Sequence, residues 1–96
     1  MKRQNASTLG ESLSKWLDEN KLRQQMNETR LVEAWKPMVG NYMASLTREI
    51  YIKNRTLFVY IDSSVVRNEL VLAKQMLLQR LNNENGGNII DDIIIR

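Results

Sequence analysis

The sequence predicts a small α/β domain of the α+β kind, with elements in the order α-α-β-β-α-β, and three patterns predict it. Apolar residues recur at helical spacing over residues 8–46. They switch to strict alternation in EIYIKNRTLFVYIDSS, residues 49–64. After a further helical stretch the chain closes on the β-branched run IIDDIIIR. A strand, a long helix and a strand make a crossover, which should be right-handed and lay the long helix on one face of a three-stranded sheet.

Residues 1–7 read as a flexible basic arm, carrying Lys2 and Arg3 and nothing to bury, ahead of one domain over residues 8–96. Thr8 and Glu11 match a capping box, and Leu9, Leu13, Trp16 and Leu17 follow at i, i+4, i+7 and i+8, which predicts an amphipathic helix from residue 9 to about residue 20. Asn27 can cap a second helix, with Met26 and Leu31 placed as a hydrophobic staple and Leu31, Val32, Trp35, Met38 and Val39 as its stripe. Pro37 has no N–H to donate to residue 33, so this helix should kink or restart near Lys36. Trp16 and Trp35 both stand among aliphatic neighbours, as core anchors do.

A two-residue turn at Asn54 and Arg55 sets the hairpin register. Ile50, Ile52, Leu57, Val59 and Ile61 then share one face, and Glu49, Tyr51, Lys53, Thr56, Phe58 and Tyr60 the other. Ser63 or Ser64 caps the longest helix, about residues 65–82, whose stripe is Val66, Leu70, Ala73, Leu77 and Leu81. NNENGGN ends it with residues that tolerate left-handed backbone, and the last run supplies one strand.

Composition excludes several chemistries. The 96 residues contain no cysteine and no histidine, which removes disulfides, thiolate sites, the commonest metal ligand and the commonest general base near neutral pH. Asp91 and Asp92 are adjacent on a strand, so they point to opposite faces and make no carboxylate pair for a metal. No catalytic residue, metal site or cofactor is expected. No apolar run approaches the roughly 20 residues of a membrane span, and MKRQNAS lacks the apolar core of a signal peptide, so a cytoplasmic protein without a membrane partner is the expectation. The net charge is +3, yet residues 1–55 hold 10 basic and 6 acidic side chains while residues 56–96 hold 4 and 5, so an anionic partner belongs to the N-terminal half.

Tyr51, Phe58 and Tyr60 with Lys53 and Arg55 form the one constellation of the type that single-stranded nucleic acid uses, ring faces for bases and cations for phosphates. The ordinary reading of the rings is cross-strand pairing, Tyr51 opposite Phe58, buried beneath a helix. Lys53 and Arg55 should stay exposed at the turn in either case. Lys2, Arg3, Lys15, Lys21 and Arg23 are the other basic candidates, although the charges near Asp18, Glu19, Lys21 and Arg23 also suit a solvated helix end.

AWKPMVGNYMASLT, TLFVYIDSSVVRNEL, LQRLNN, NGGN and IIDDIIIR, in that order and separation, resemble the DciA-like family of predicted replicative-helicase loaders over about residues 28–96. Trp35, Val39, Gly40, Leu57, Val59, Ser63, Ser64, Glu69 and Leu70 carry the likeness, and they look like fold markers: an anchor, a turn glycine, a strand and a helix cap. The resemblance implies a KH-like domain that associates with the replicative helicase and with single-stranded or forked DNA, as a non-enzymatic accessory of bacterial DNA replication. Two departures limit it. A KH domain clamps nucleic acid with a GxxG loop, and residues 62–85 contain no glycine. Longer relatives carry a disordered tail beyond the last strand, whereas this chain ends at Arg96, so a tail-borne share of the contacts is not carried over. The alternatives are an RNA- or ribosome-associated KH-like module and a protein-only adaptor.

Overall fold

The computed structural model describes residues 6–96, with side chains from Leu9 onward; Lys2 and Arg3 of the expected basic arm lie outside them. The element order is α1 (Ala6–Ser45), β1 (Thr47–Lys53), β2 (Thr56–Ile61), α2 (Ser64–Leu72), α3 (Lys74–Glu84) and β3 (Asp92–Ile95). This is the expected α+β class: a helical block, a hairpin, a helical block and a closing strand. The sheet is mixed, in the order β1-β2-β3, with β1 and β2 antiparallel and β2 and β3 parallel.

The helical blocks divide at places other than those expected. No break occurs at residues 21–26, because Lys-Leu-Arg-Gln-Gln-Met contains only good helix formers, so Asn27 is an interior residue of α1 and not a cap. The helix also runs through Pro37 and breaks at Gly40, which takes φ 91° and ψ 166°. That backbone is open to glycine and strained for other residues. The second block is interrupted at Ala73, whose N–H is shared by the carbonyls of Glu69 and Leu70. Ser63 caps α2, its hydroxyl accepting from the Val66 N–H at 3.3 Å.

One apolar cluster joins all the elements. Leu31 and Trp35 from α1, Val66 and Leu70 from α2, and Leu77 and Leu81 from α3 meet Leu57, Val59, Ile61 and Ile93 of the sheet. Each helix is therefore on the same side of the sheet. The Trp35 indole N–H is satisfied within this core, donating to Thr47 Oγ1 at 3.1 Å, and Thr47 in turn donates to the Met43 carbonyl at 3.0 Å. Asn82 shapes the α3–β3 loop, its Oδ1 accepting from the N–H groups of Ile89 and Ile90 while its Nδ2 donates to the Ile90 carbonyl.

The first half of α1 stands apart from this body. Gln24 ties the helix to the α3–β3 loop, its amide donating to the Ile89 carbonyl at 3.0 Å. N-terminal to it, Leu9, Leu13, Trp16 and Leu17 are exposed. The expectation that Trp16 anchors a core is corrected: it is 57 % exposed, against 2 % for Trp35. Both lie on one stripe, but the sheet reaches only the second.

Trp35→Ala should destabilise the body by about 3–5 kcal/mol, the cost of emptying a large core site. Gly40→Ala should cost about 1–3 kcal/mol, because its positive φ with extended ψ is a backbone region open essentially to glycine alone. Urea unfolding of both variants checks this pair, and a Trp35→Ala curve overlying wild type would place the indole outside the core.

Candidate nucleic-acid interface

The turn at Asn54 and Arg55 has φ of 51° and 59°, the two positive values of a type I′ hairpin, and it delivers the register set by alternation. Ile50 pairs with Val59, Tyr51 with Phe58, and Ile52 with Leu57. Since the helices occupy the Leu57 and Val59 side, Tyr51, Phe58 and Tyr60 face away from them. Half-buried, the rings shield one another: Tyr51 and Phe58 stack with centroids 5.1 Å apart and planes at 16°, and Tyr51 and Tyr60 lie 6.2 Å apart at 22°. Cross-strand pairing is as expected; burial beneath a helix is not, because one face already serves every helix.

The two phenol oxygens sit 3.4 Å apart, and this contact with Tyr60, followed by partial desolvation, holds the Tyr51 hydroxyl above its ordinary pKa. The raised Tyr51 hydroxyl stays protonated at physiological pH, and the ring faces and hydroxyls are the available chemistry. The β2–β3 register adds Ile94 beside Phe58. Arg96 follows one pair further on, exchanging backbone hydrogen bonds with Val59 and Ile61, which sets it next to Tyr60. The open face thus has three rows: Lys53, Thr56 and Asp92; Tyr51, Phe58 and Ile94; Glu49, Tyr60 and Arg96.

Of the two turn cations, Lys53 is exposed and forms no ion pair among the described residues, whereas Arg55 is engaged. The Arg55 guanidinium donates to Asp91 at 3.1 and 3.2 Å and to the Asn88 carbonyl at 2.8 Å, and its own carbonyl accepts from the Asp91 N–H at 2.7 Å. Asp91 holds its pKa above the ordinary arginine value. These bonds retain a bulky residue in left-handed backbone and fasten the hairpin tip to the loop before β3. Lys74 likewise pairs with Asp92 at 2.9 Å, and that contact, helped by the Ile93 N–H, lowers the Asp92 pKa. Each aspartate of the pair goes to its own cation.

The structure therefore brings Lys53, Tyr51 and Phe58 together on one face and sets Arg55 behind them as a fastener. Lys15, Lys21 and Arg23 are exposed on the projecting half of α1 and belong to no part of the ring face. Arg96 escapes a sequence reading because only the parallel register brings it to Tyr60. Asp91 escapes it because 36 residues separate it from Arg55. Among the described residues no group of acidic side chains could hold a metal ion, and no helix is long and apolar enough to cross a membrane. The break between α2 and α3 is at Ala73, with no glycine for a phosphate-approaching loop.

The profile of one protein family, described as Dna[CI] antecedent, DciA, matches residues 8–95. The chain belongs to the DciA family. DciA proteins are associated with helicase loading in DNA replication, as accessory components. No curated protein and no solved structure matches the chain. In this DciA chain the residues that carry the likeness hold the fold: Trp35, Leu57, Val59 and Leu70 are buried, Gly40 makes the backbone break and Ser63 caps α2, while Ser64 is the first residue of that helix.

A pH dependence follows from Asp92. Its folded pKa is depressed, so its stabilising contribution is fully present above the unfolded value of about 3.9 and is lost as pH falls through the folded value. Lys74→Met should flatten the acid limb of a melting-temperature profile relative to wild type. Parallel limbs in the two proteins would show that the Lys74 contact contributes nothing in solution.

Proposed function

We propose that this protein is a non-enzymatic, cytoplasmic accessory of bacterial DNA replication that binds the replicative helicase and holds single-stranded or forked DNA on its open sheet face. Family membership supports the helicase, and the observation that carries the DNA site is the stacked set Tyr51, Phe58 and Tyr60 on a sheet face that no helix shares. Aromatic rings on an exposed sheet stack with bases whatever the sequence, and flanking cations track the backbone. Lys53 at one end and Arg96 at the other supply those cations, with Arg55 keeping the hairpin in place.

In this reading residues 8–96 act as one KH-like domain whose nucleic-acid surface has moved from the glycine clamp to the sheet. The basic residues of the projecting helix, Lys15, Lys21 and Arg23, with Lys2 and Arg3 before them, extend the positive potential along the strand. The same ring face suits single-stranded RNA, whose unstacked bases are also read on aromatic platforms. A competition between DNA and RNA oligonucleotides of one sequence separates the two.

Tyr51→Ala and Phe58→Ala should each cost about 1–3 kcal/mol of single-strand affinity. Their melting temperatures should fall by less than that of Trp35→Ala, since neither ring belongs to the buried core and the loss is that of stacked pairs worth about 0.5–1.5 kcal/mol each. Lys53→Glu should reduce the slope of log affinity against log salt by about 0.7. Unchanged affinity in all three variants removes the sheet face from the DNA site. The helicase half of the proposal is checked by co-elution of the purified helicase and this protein without DNA; separate elution at tens of micromolar leaves the protein a nucleic-acid binder alone.

A further inference from the structure

The molecule carries far more surface than its size requires. Its radius of gyration is 18.2 Å and its accessible area 6911 Å². A compact chain of this length has a radius of about 12–13 Å, and one of this mass exposes about 5,700 Å². The excess comes with the half of α1 that precedes Gln24, a segment about 27 Å long from Ala6 to Arg23 at helical rise. A helix of that length is marginal alone in water, and this one keeps Leu9, Leu13, Trp16 and Leu17 48–61 % exposed on the stripe that lower down buries Leu31 and Trp35.

The spacing of this stripe specifies what fits it. Leu9, Leu13, Trp16 and Asn20 are separated by four, three and four residues, so the stripe reads the same in both chain directions about a midpoint between Ser14 and Lys15. Laid antiparallel on a second copy about that midpoint, Leu13 meets Trp16 of the partner and Leu9 meets Asn20, twice each, which is the alternating pattern of a two-stranded coiled coil. The flanks match in size: Leu17 falls beside Gly10 and Glu19 beside Ser12, so no like charges oppose one another. Gly10 costs a helix interior roughly 1 kcal/mol relative to alanine, and within one chain a Cβ there would meet nothing within 4 Å. The overlap also ends where it must. Ala6 of one copy falls opposite Arg23 of the other, one residue short of the Gln24 contact at which the body begins.

We infer that the projecting half of α1 is a dimerisation element, pairing antiparallel with the same segment of a second copy through Leu9, Leu13, Trp16 and Leu17. The excess surface, about 1,200 Å² per chain, is enough to supply the roughly 800 Å² that each partner of a stable interface buries. This goes beyond the helicase and DNA reading and uses none of the ring-face residues. It leaves two sheet bodies at opposite ends of a short rod, each with its ring face uncovered.

Light scattering on the full chain at tens of micromolar should give twice 11.2 kDa. Leu13→Glu should weaken self-association by more than about tenfold, while the thermal transition of the body stays in place. Leu22→Glu, on the opposite side of the same segment, should leave the dimer intact. The chain has no cysteine of its own, so oxidation of the double variant Leu9→Cys, Asn20→Cys, which keeps Leu13 and Trp16, should give a covalent dimer, and Leu9→Cys alone should not. A monomeric wild type overturns the inference, as does efficient cross-linking of Leu9→Cys alone, which would mean parallel pairing, or a lack of cross-linking in the double variant. A monomeric wild type whose Leu13→Glu variant loses capture by purified replicative helicase assigns the stripe to a different protein and overturns it equally.

Discussion

Three helices bury their apolar residues against one face of a small sheet, and the rest of the molecule follows from that one-sidedness. The sheet has strands of 7, 6 and 4 residues, and its inner face is filled by side chains from α1, α2 and α3. Nothing is left in the described chain to cover the other face. Alternation along β1 and β2 nonetheless places rings there, and they lessen their exposure by stacking on one another instead of entering the core. Aromatic pairs arranged this way add about 0.5–1.5 kcal/mol beyond the area they bury, which suits a surface that must stay ordered while open.

Order on that surface is maintained from behind. A type I′ turn with arginine at its second position lacks the glycine such turns favour, so the hairpin tip has little rigidity of its own. Arg55 supplies it by reaching the Asn88 carbonyl and Asp91, while Lys74 restrains the neighbouring Asp92. Exposed ion pairs of this kind contribute little to stability, typically up to about 1 kcal/mol each. Their effect is geometric: they hold the strand edges that carry Lys53 and Arg96 in one register around the rings.

Much of this was legible in the sequence, for a definable reason. Alternation, the two-residue turn, the Ser63 cap and the stripe of Val66, Leu70, Leu77 and Leu81 are local, and local patterns determined the hairpin register and the cap correctly. What periodicity does not contain is the identity of the partner. Trp16 and Trp35 have the same kind of neighbours at the same spacing, yet one is exposed and the other buried, because the packed body, at its α3–β3 loop, reaches only as far as Gln24. The helix boundary was missed for a related reason: Asn27 resembles a cap, but a run of strong helix formers before it outweighs a polar side chain that has no break to occupy. Arg55 shows the same limit, since its residue type suggested phosphate binding and its partner lay far away in the chain.

The missing glycine then bears on how a strand of nucleic acid could be held at all. A KH clamp works through close approach of a glycine loop to the phosphate backbone, and here the break between α2 and α3 is Ala73, flanked by Leu72 and Lys74, with the Lys74 ammonium already paired to Asp92. In the proposed DNA reading, affinity comes from side chains instead. The side chains that the core does not use, and that carry both a π face and nearby positive charge, are those of the outer sheet. A surface of that composition suits unpaired strands better than duplex, because stacking requires bases already separated from their partners.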